Sequence, residues 1–107
     1  MPRIESLLAM RERNPGDGRV LFALAMEYEK AGRWNEVVDV LGEYLAAADD
    51  QGNAWGRLAG ALLQLDRPND ARDALRRGIE AASRHGHPGM AAEFEDRLAD
   101  LGAEGSP

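Results

Sequence analysis

The chain has 107 residues, a formal charge of −6, and neither cysteine nor threonine. Such a length fits one small domain with a modest core, and without thiols there is no disulfide framework and no thiolate metal site. The acidic balance disfavours general binding to a phosphate backbone, which needs clustered Lys and Arg.

β-Branched residues are limited to four Val and two Ile, while Ala, Leu, Glu and Arg dominate. This disfavours strands and points to an all-α protein. The opening segment, MPRIESLLAMRER, carries Glu5 and ends in Arg-Glu-Arg, so it lacks the long apolar core of a signal peptide. No stretch approaches the roughly 18 apolar residues of a membrane span. The expectation is a soluble, cytoplasmic protein with no membrane partner. Of the thirteen basic residues only Lys30 is lysine, a skew to which no function is assigned.

From Leu21 the apolar residues Leu21, Leu24, Ala25 and Tyr28 fall at helical spacing, and after Gly32 the residues Val37, Leu41, Tyr44 and Leu45 do the same. Gly32 suits the left-handed residue that ends a helix, and Asn35 followed by Glu36 suits the start of the next. Two antiparallel helices follow.

Sliding the sequence against itself by 34 residues matches segment 18–51 to 52–85 without a gap. The identical pairs are Gly18/Gly52, Leu24/Leu58, Ala25/Ala59, Arg33/Arg67, Asn35/Asn69, Asp39/Asp73, Leu41/Leu75, Ala47/Ala81 and Ala48/Ala82. The break at Gly32 recurs as LDRPND, where Asp66 stands in the glycine's place and tolerates a left-handed backbone better than most residues. Pro68 fits the first turn of the following helix. The break is a structural period.

A period of 34 with paired helices resembles the tetratricopeptide repeat, whose pattern is W-x2-L-G-x2-Y, then A-x3-F, then P. The second unit reads Trp55, Leu58, Ala59, Leu62, then Ala71 and Leu75; the first reads Leu21, Leu24, Ala25, Tyr28, then Val37 and Leu41. The departures are Asp49 and Ser83 at the proline position, and Tyr44 and Gly78 where alanine is usual. The same shift sets Leu7 under Leu41 and puts Pro15 at the proline position, so residues 2–13 resemble the second helix of a unit. After RHGHPG, the residues Met90, Phe94, Leu98 and Leu101 form a narrow apolar stripe suited to a capping helix over 88–101. The resemblance therefore implies a single domain over 1–102, with about six helices in antiparallel hairpins stacked as a short right-handed superhelix. A frayed tail is expected over 103–107.

In this family first helices line a concave face where ligand peptides lie. Carried over by register, the groove positions are Arg19, Phe22, Met26, Glu29 and Lys30 in the first unit, and Asn53, Gly56, Gly60, Leu63 and Gln64 in the second. Phe22, Met26 and Leu63 are the expected anchors, with Arg19, Lys30, Asn53 and Gln64 setting specificity. Phe22 and Met26 have a second reading, burial against a terminal helix. Gly56 and Gly60 serve either a shallow groove wall or close helix packing. Some family members clamp a chaperone tail's carboxylate with lysine and asparagine; Phe22, Met26, Gly56 and Gly60 stand at those positions here, so that clamp is not expected.

Arg72, Arg76, Arg77 and Arg84 form a basic run, but Asp73 and Glu80 stand four residues ahead of Arg77 and Arg84, as on an exposed, charge-paired face. His85 and His87 offer two metal ligands where a structural zinc site takes about four, so a surface turn is the expectation and no cofactor or metal is expected. Ser6, Ser83 and Ser106 lie outside any nucleophile-elbow context, and no phosphate-cradling glycine loop occurs. The expected function is a noncatalytic module binding a peptide or helix of a partner protein. The rival reading is self-association, or a structural piece of a longer repeat protein. An independent enzyme ranks third.

Overall fold

Three turns of one design organise the chain in the computed structural model, which describes residues 2–105. At the first, Gly32 takes φ +70°, its N–H donates to the Glu29 carbonyl at 3.1 Å, and the Arg33 N–H donates to the Tyr28 carbonyl at 3.0 Å. This paired closure satisfies carbonyls that a helix end leaves without partners. Asp66, at φ +56°, repeats it with Leu63 and Leu62 as acceptors, and Gly86, at φ +77°, repeats it with Ser83 and Ala82. The expected exchange of aspartate for glycine at the second turn is thus found.

Among the described residues there are six helices: α1 (Pro2–Arg13), α2 (Gly18–Lys30), α3 (Trp34–Ala47), α4 (Asn53–Gln64), α5 (Pro68–Arg84) and α6 (Pro88–Gly105). They form two compact units, one running to Asp49 and the other from Asp50. The division falls beside the expected boundary between the repeated segments.

In the first unit Asp17 caps α2, its carboxylate accepting from the Arg19 N–H at 3.0 Å. The packed side chains are Ile4 and Leu7 of α1, Leu21, Leu24, Ala25 and Tyr28 of α2, and Val37, Val40 and Leu41 of α3. Ala25 is fully enclosed, which lets α2 and α3 approach closely. Helix α3 begins at Trp34, one residue earlier than the Asn35 start expected from sequence. After the left-handed Gly32, Arg33 takes the capping place at φ −90° and ψ 74°, its guanidinium 2.8 Å from Glu36.

In the second unit Asp50 starts α4, its carboxylate accepting from the N–H groups of Gly52 at 2.8 Å and Ala54 at 2.9 Å. Pro68 occupies the first turn of α5, as expected. Arg67 pairs with Asp70 at 2.9 Å, repeating the Arg33–Glu36 pair one period later. Ala59, Leu62, Ala71, Leu75, Phe94 and Leu101 are buried. Helix α6 continues past Leu101 to Gly105; of the tail expected to fray, Ser106 and Pro107 lie outside the described residues. Among the described residues, no helix is long and apolar enough to cross a membrane.

Candidate binding groove

An apolar hollow of the first unit lies where the start of α2 meets the end of α3. Gly18, Arg19, Phe22 and Ala23 supply one wall, Tyr44 and Ala48 the other, and Asp17 closes the end. Its volume is about 650 Å³. The Phe22 and Tyr44 rings meet at 59° with centroids 5.4 Å apart, a tilted arrangement that fits the aromatic quadrupoles. Both rings are half-buried, so each keeps apolar surface toward the hollow. Gly18 keeps the floor low, since a Cβ there would touch Tyr44 at 3.5 Å and Ala48 at 3.8 Å. Arg19 stands at the rim with its side chain 96% exposed, 3.7 Å from the Asp17 carboxylate.

Of the residues singled out from sequence in the first unit, Arg19 and Phe22 line this groove. Met26 is half-buried one turn further along α2, and Glu29 is half-buried near its end. Lys30 is exposed and its ammonium lies 3.3 Å from Glu27. The partner of Phe22 is thus Tyr44, whose spacing puts it on the apolar stripe of α3 and which stands where alanine is usual.

In the second unit, Asn53 and Gly56 line a smaller hollow of about 190 Å³ with Arg57, Met90, Glu93, Phe94 and Arg97. Gly56 is buried: a Cβ there would lie 2.7 Å from Phe94 Cζ, and its carbonyl accepts from Arg97 at 3.2 Å. Close helix packing accounts for this glycine. Gly60, by contrast, has nothing within 4 Å of a Cβ position. Leu63 is 38% exposed and Gln64 is exposed, both near the end of α4.

The basic run on α5 is distributed among partners. Arg72 donates to Asn69 and to the Leu101 carbonyl of α6, Arg76 pairs with Asp73 at 3.3 Å, and Arg77 lies over the Trp55 ring at 5.6 Å. Asp73 therefore meets the arginine three residues on, rather than the one four residues on that spacing suggested. His87 Nε2 lies 2.5 Å from Gln51 Oε1, which engages one of the two histidines in a turn contact. Among the described residues no cluster of three or more His, Cys, Asp or Glu could hold a metal ion.

Sequence spacing gave no notice of Glu27. Only 9% exposed on α2, it receives Arg3 of α1 at 3.4 Å and Lys30 at 3.3 Å, and so ties α1 to α2. Its place one residue before Tyr28, on the edge of the apolar stripe, was the available signal.

The sequence profile described as tetratricopeptide repeat matches residues 28–87, more than half of the chain. No curated protein matches the sequence. Among solved structures, PcrH in complex with the chaperone binding region of PopD is similar, with a TM-score of 0.86 at 15% identity, covering 96% of this chain and 78% of that one. MamA gives a TM-score of 0.70 at 19% identity over 92% of this chain and 66% of its own. A further structure, MamA MSR-1 C2, gives 0.65 at 18% identity over 96% and 67%. These likenesses show a shared fold.

Proposed function

Because the chain belongs to the tetratricopeptide repeat family, we propose that it is a protein-binding module whose groove between Phe22 and Tyr44 anchors a segment of a partner protein. The observation that carries this reading is a half-buried aromatic pair facing a hollow of about 650 Å³. Aromatic side chains that keep apolar surface beside an unfilled hollow are the usual anchors of an interface. PcrH, of similar fold, is seen with a segment of PopD, which supports a protein ligand as the class.

Phe22 supplies the apolar contact, Met26 extends it along α2, and Arg19 sets charge preference. The role is binding rather than catalysis. Capture from a lysate of the source cell, comparing the wild type with Phe22→Ser/Met26→Ser, tests the reading. A protein retained only by the wild type, with helicity unchanged in the variant, supports it; equal retention by both contradicts it.

Self-association is the second reading, favoured by the exposed Met10 and Leu63. A mass that rises with concentration in sedimentation, and falls on substituting Leu63 with Ser, would support it. A monomer at all concentrations would remove it.

A further inference from the structure

The helix pair α1 and α2 recurs two periods further on as α5 and α6, with Leu7, Glu12, Gly18, Ala23 and Glu27 repeated as Leu75, Glu80, Gly86, Ala91 and Glu95. Within the second unit, α4 lies on the face that α5 and α6 share. A Cβ on Gly78 of α5 would lie 3.0 Å from the Cβ of Trp55, and Arg97 of α6 donates to the Gly56 carbonyl at 3.2 Å. Gln51, just ahead of α4, meets His87 at the start of α6. These contacts set α4 antiparallel to α5, with its start beside the turn that joins α5 to α6.

Within the first unit, the matching face of α1 and α2 is an apolar hollow of about 340 Å³, lined by Leu7, Met10, Val20 and Ala23, with Arg3 and Arg19 at its rim. Helix α3 packs on another side of α2, toward which a Cβ on Gly18 would point to meet Tyr44 and Ala48. Carried back by two periods, α4 falls on no residue of the chain, so none of the six helices is the counterpart that covers this face. Repeat units bury such faces against a neighbour, yet Met10 is 40% exposed. Two exchanges alter the neighbour that fits. Met10 stands where Gly78 makes room for Trp55, and Arg19, its side chain 96% exposed, stands where His87 meets Gln51.

We propose that the α1/α2 face takes an amphipathic helix of a partner protein, antiparallel to α1, with a small residue against Met10 and a carboxylate just ahead of its first turn for Arg19. The small residue follows from volume, since a ring at the Trp55 place would overpack a space that Met10 already fills. The carboxylate matches Arg19 in charge and in bidentate geometry, and at a helix start it also suits the positive end of the helix dipole. Asp17, 3.7 Å from Arg19, neutralises it only in part. A second copy docking by the same face would bring Arg3 and Arg19 near cations of its own, which like charge opposes. This face is separate from the Phe22–Tyr44 groove, and the inference does not rest on that groove.

The probe is a fluorescent peptide copying Asp50–Leu65 with Gln51→Glu and Trp55→Ala, titrated into the full chain by anisotropy. Saturable binding is expected, weakened roughly tenfold or more by Met10→Glu in the chain, an exposed change that leaves helicity intact. Arg19→Glu should weaken this peptide and favour one carrying lysine at the Gln51 place, and an uncharged residue at position 19 should weaken it likewise. The form that keeps the Trp55 ring should bind the wild type roughly tenfold less tightly and regain affinity for Met10→Gly. Gly18→Met, whose Cβ faces α3, should leave binding unchanged, so that failure here and failure of the groove are told apart. Absence of saturable binding, equal binding by the wild type and Met10→Glu, or a dimer of the chain that Met10→Glu dissociates, overturns the assignment.

Discussion

The ring of Phe94 takes the space that a side chain on Gly56 would need, with Cζ 2.7 Å from the Cβ position and Cε1 2.8 Å from it. Both residues are buried, and Phe94 is held on its other side by Gly78, so the ring has little room to withdraw. Gly56→Ala should therefore destabilise the chain by about 1–3 kcal/mol, as overpacking a close helix contact does. Gly60→Ala, one turn on with nothing within 4 Å, should instead stabilise by about 0.5–1 kcal/mol through helix propensity. Urea denaturation of the two variants checks the contrast, and a gain at both sites would contradict it.

The turn residues give a second contrast. Asp66 at φ +56° is a side-chain-bearing residue in the left-handed region, whereas Gly32 fills the same place in the first repeat at φ +70°. Asp66→Gly should raise stability by up to about 1 kcal/mol, and Gly32→Ala should lower it by about 1–2 kcal/mol. Thermal unfolding of each variant measures the sign.

The period, the left-handed turns and the apolar stripes were legible in the sequence because each is a local rule. Gly32 and Asp66 announce a turn, and Leu21, Leu24 and Tyr28 announce a face. The groove was legible only in half. Register alone located Phe22, yet its partner Tyr44 lies 22 residues away, and its tilt toward Phe22 depends on how α2 and α3 pack. Gly56 had two readings because a glycine opens space without saying what enters it, and Phe94 stands 38 residues further along the chain. Asp50 was missed as a cap because it precedes its helix by three residues.

Glu27 holds α1 to α2 through Arg3, with Lys30 beside it. Arg3 and Lys30 are mostly exposed, so solvent screens much of the attraction. Glu27→Ala should cost about 1 kcal/mol and speed amide exchange in α1 more than in α3. Arg11→Ala removes an exposed pair to Glu43 and should change stability by less than about 0.5 kcal/mol. Equal effects from the two variants would show that Glu27 has no special part in docking α1.

Glu36 should titrate below the ordinary glutamate range. The hydrogen bond from Arg33 is the main cause, with its own backbone N–H contributing. A carboxyl with a lowered folded value adds stability above its unfolded pKa, about 4.3. That contribution is lost as pH falls through the lowered folded value. Carbon-detected NMR titration should place Glu36 below the ordinary glutamate range, and Arg33→Ala should return it toward the ordinary value. A Glu36 midpoint that does not respond to Arg33→Ala would rule out the ion pair as the cause.

Site-specific photo-crosslinking distinguishes a ligand in the Phe22–Tyr44 groove from one bound elsewhere. Benzoylphenylalanine would be placed in turn at Arg19 on the groove rim and at the exposed Asp39 on α3, which does not line the groove. A crosslinked partner is expected from the Arg19 position that Gly18→Met removes, and none from Asp39. Equal crosslinking from both positions, or a product from Arg19 that survives Gly18→Met, would contradict it.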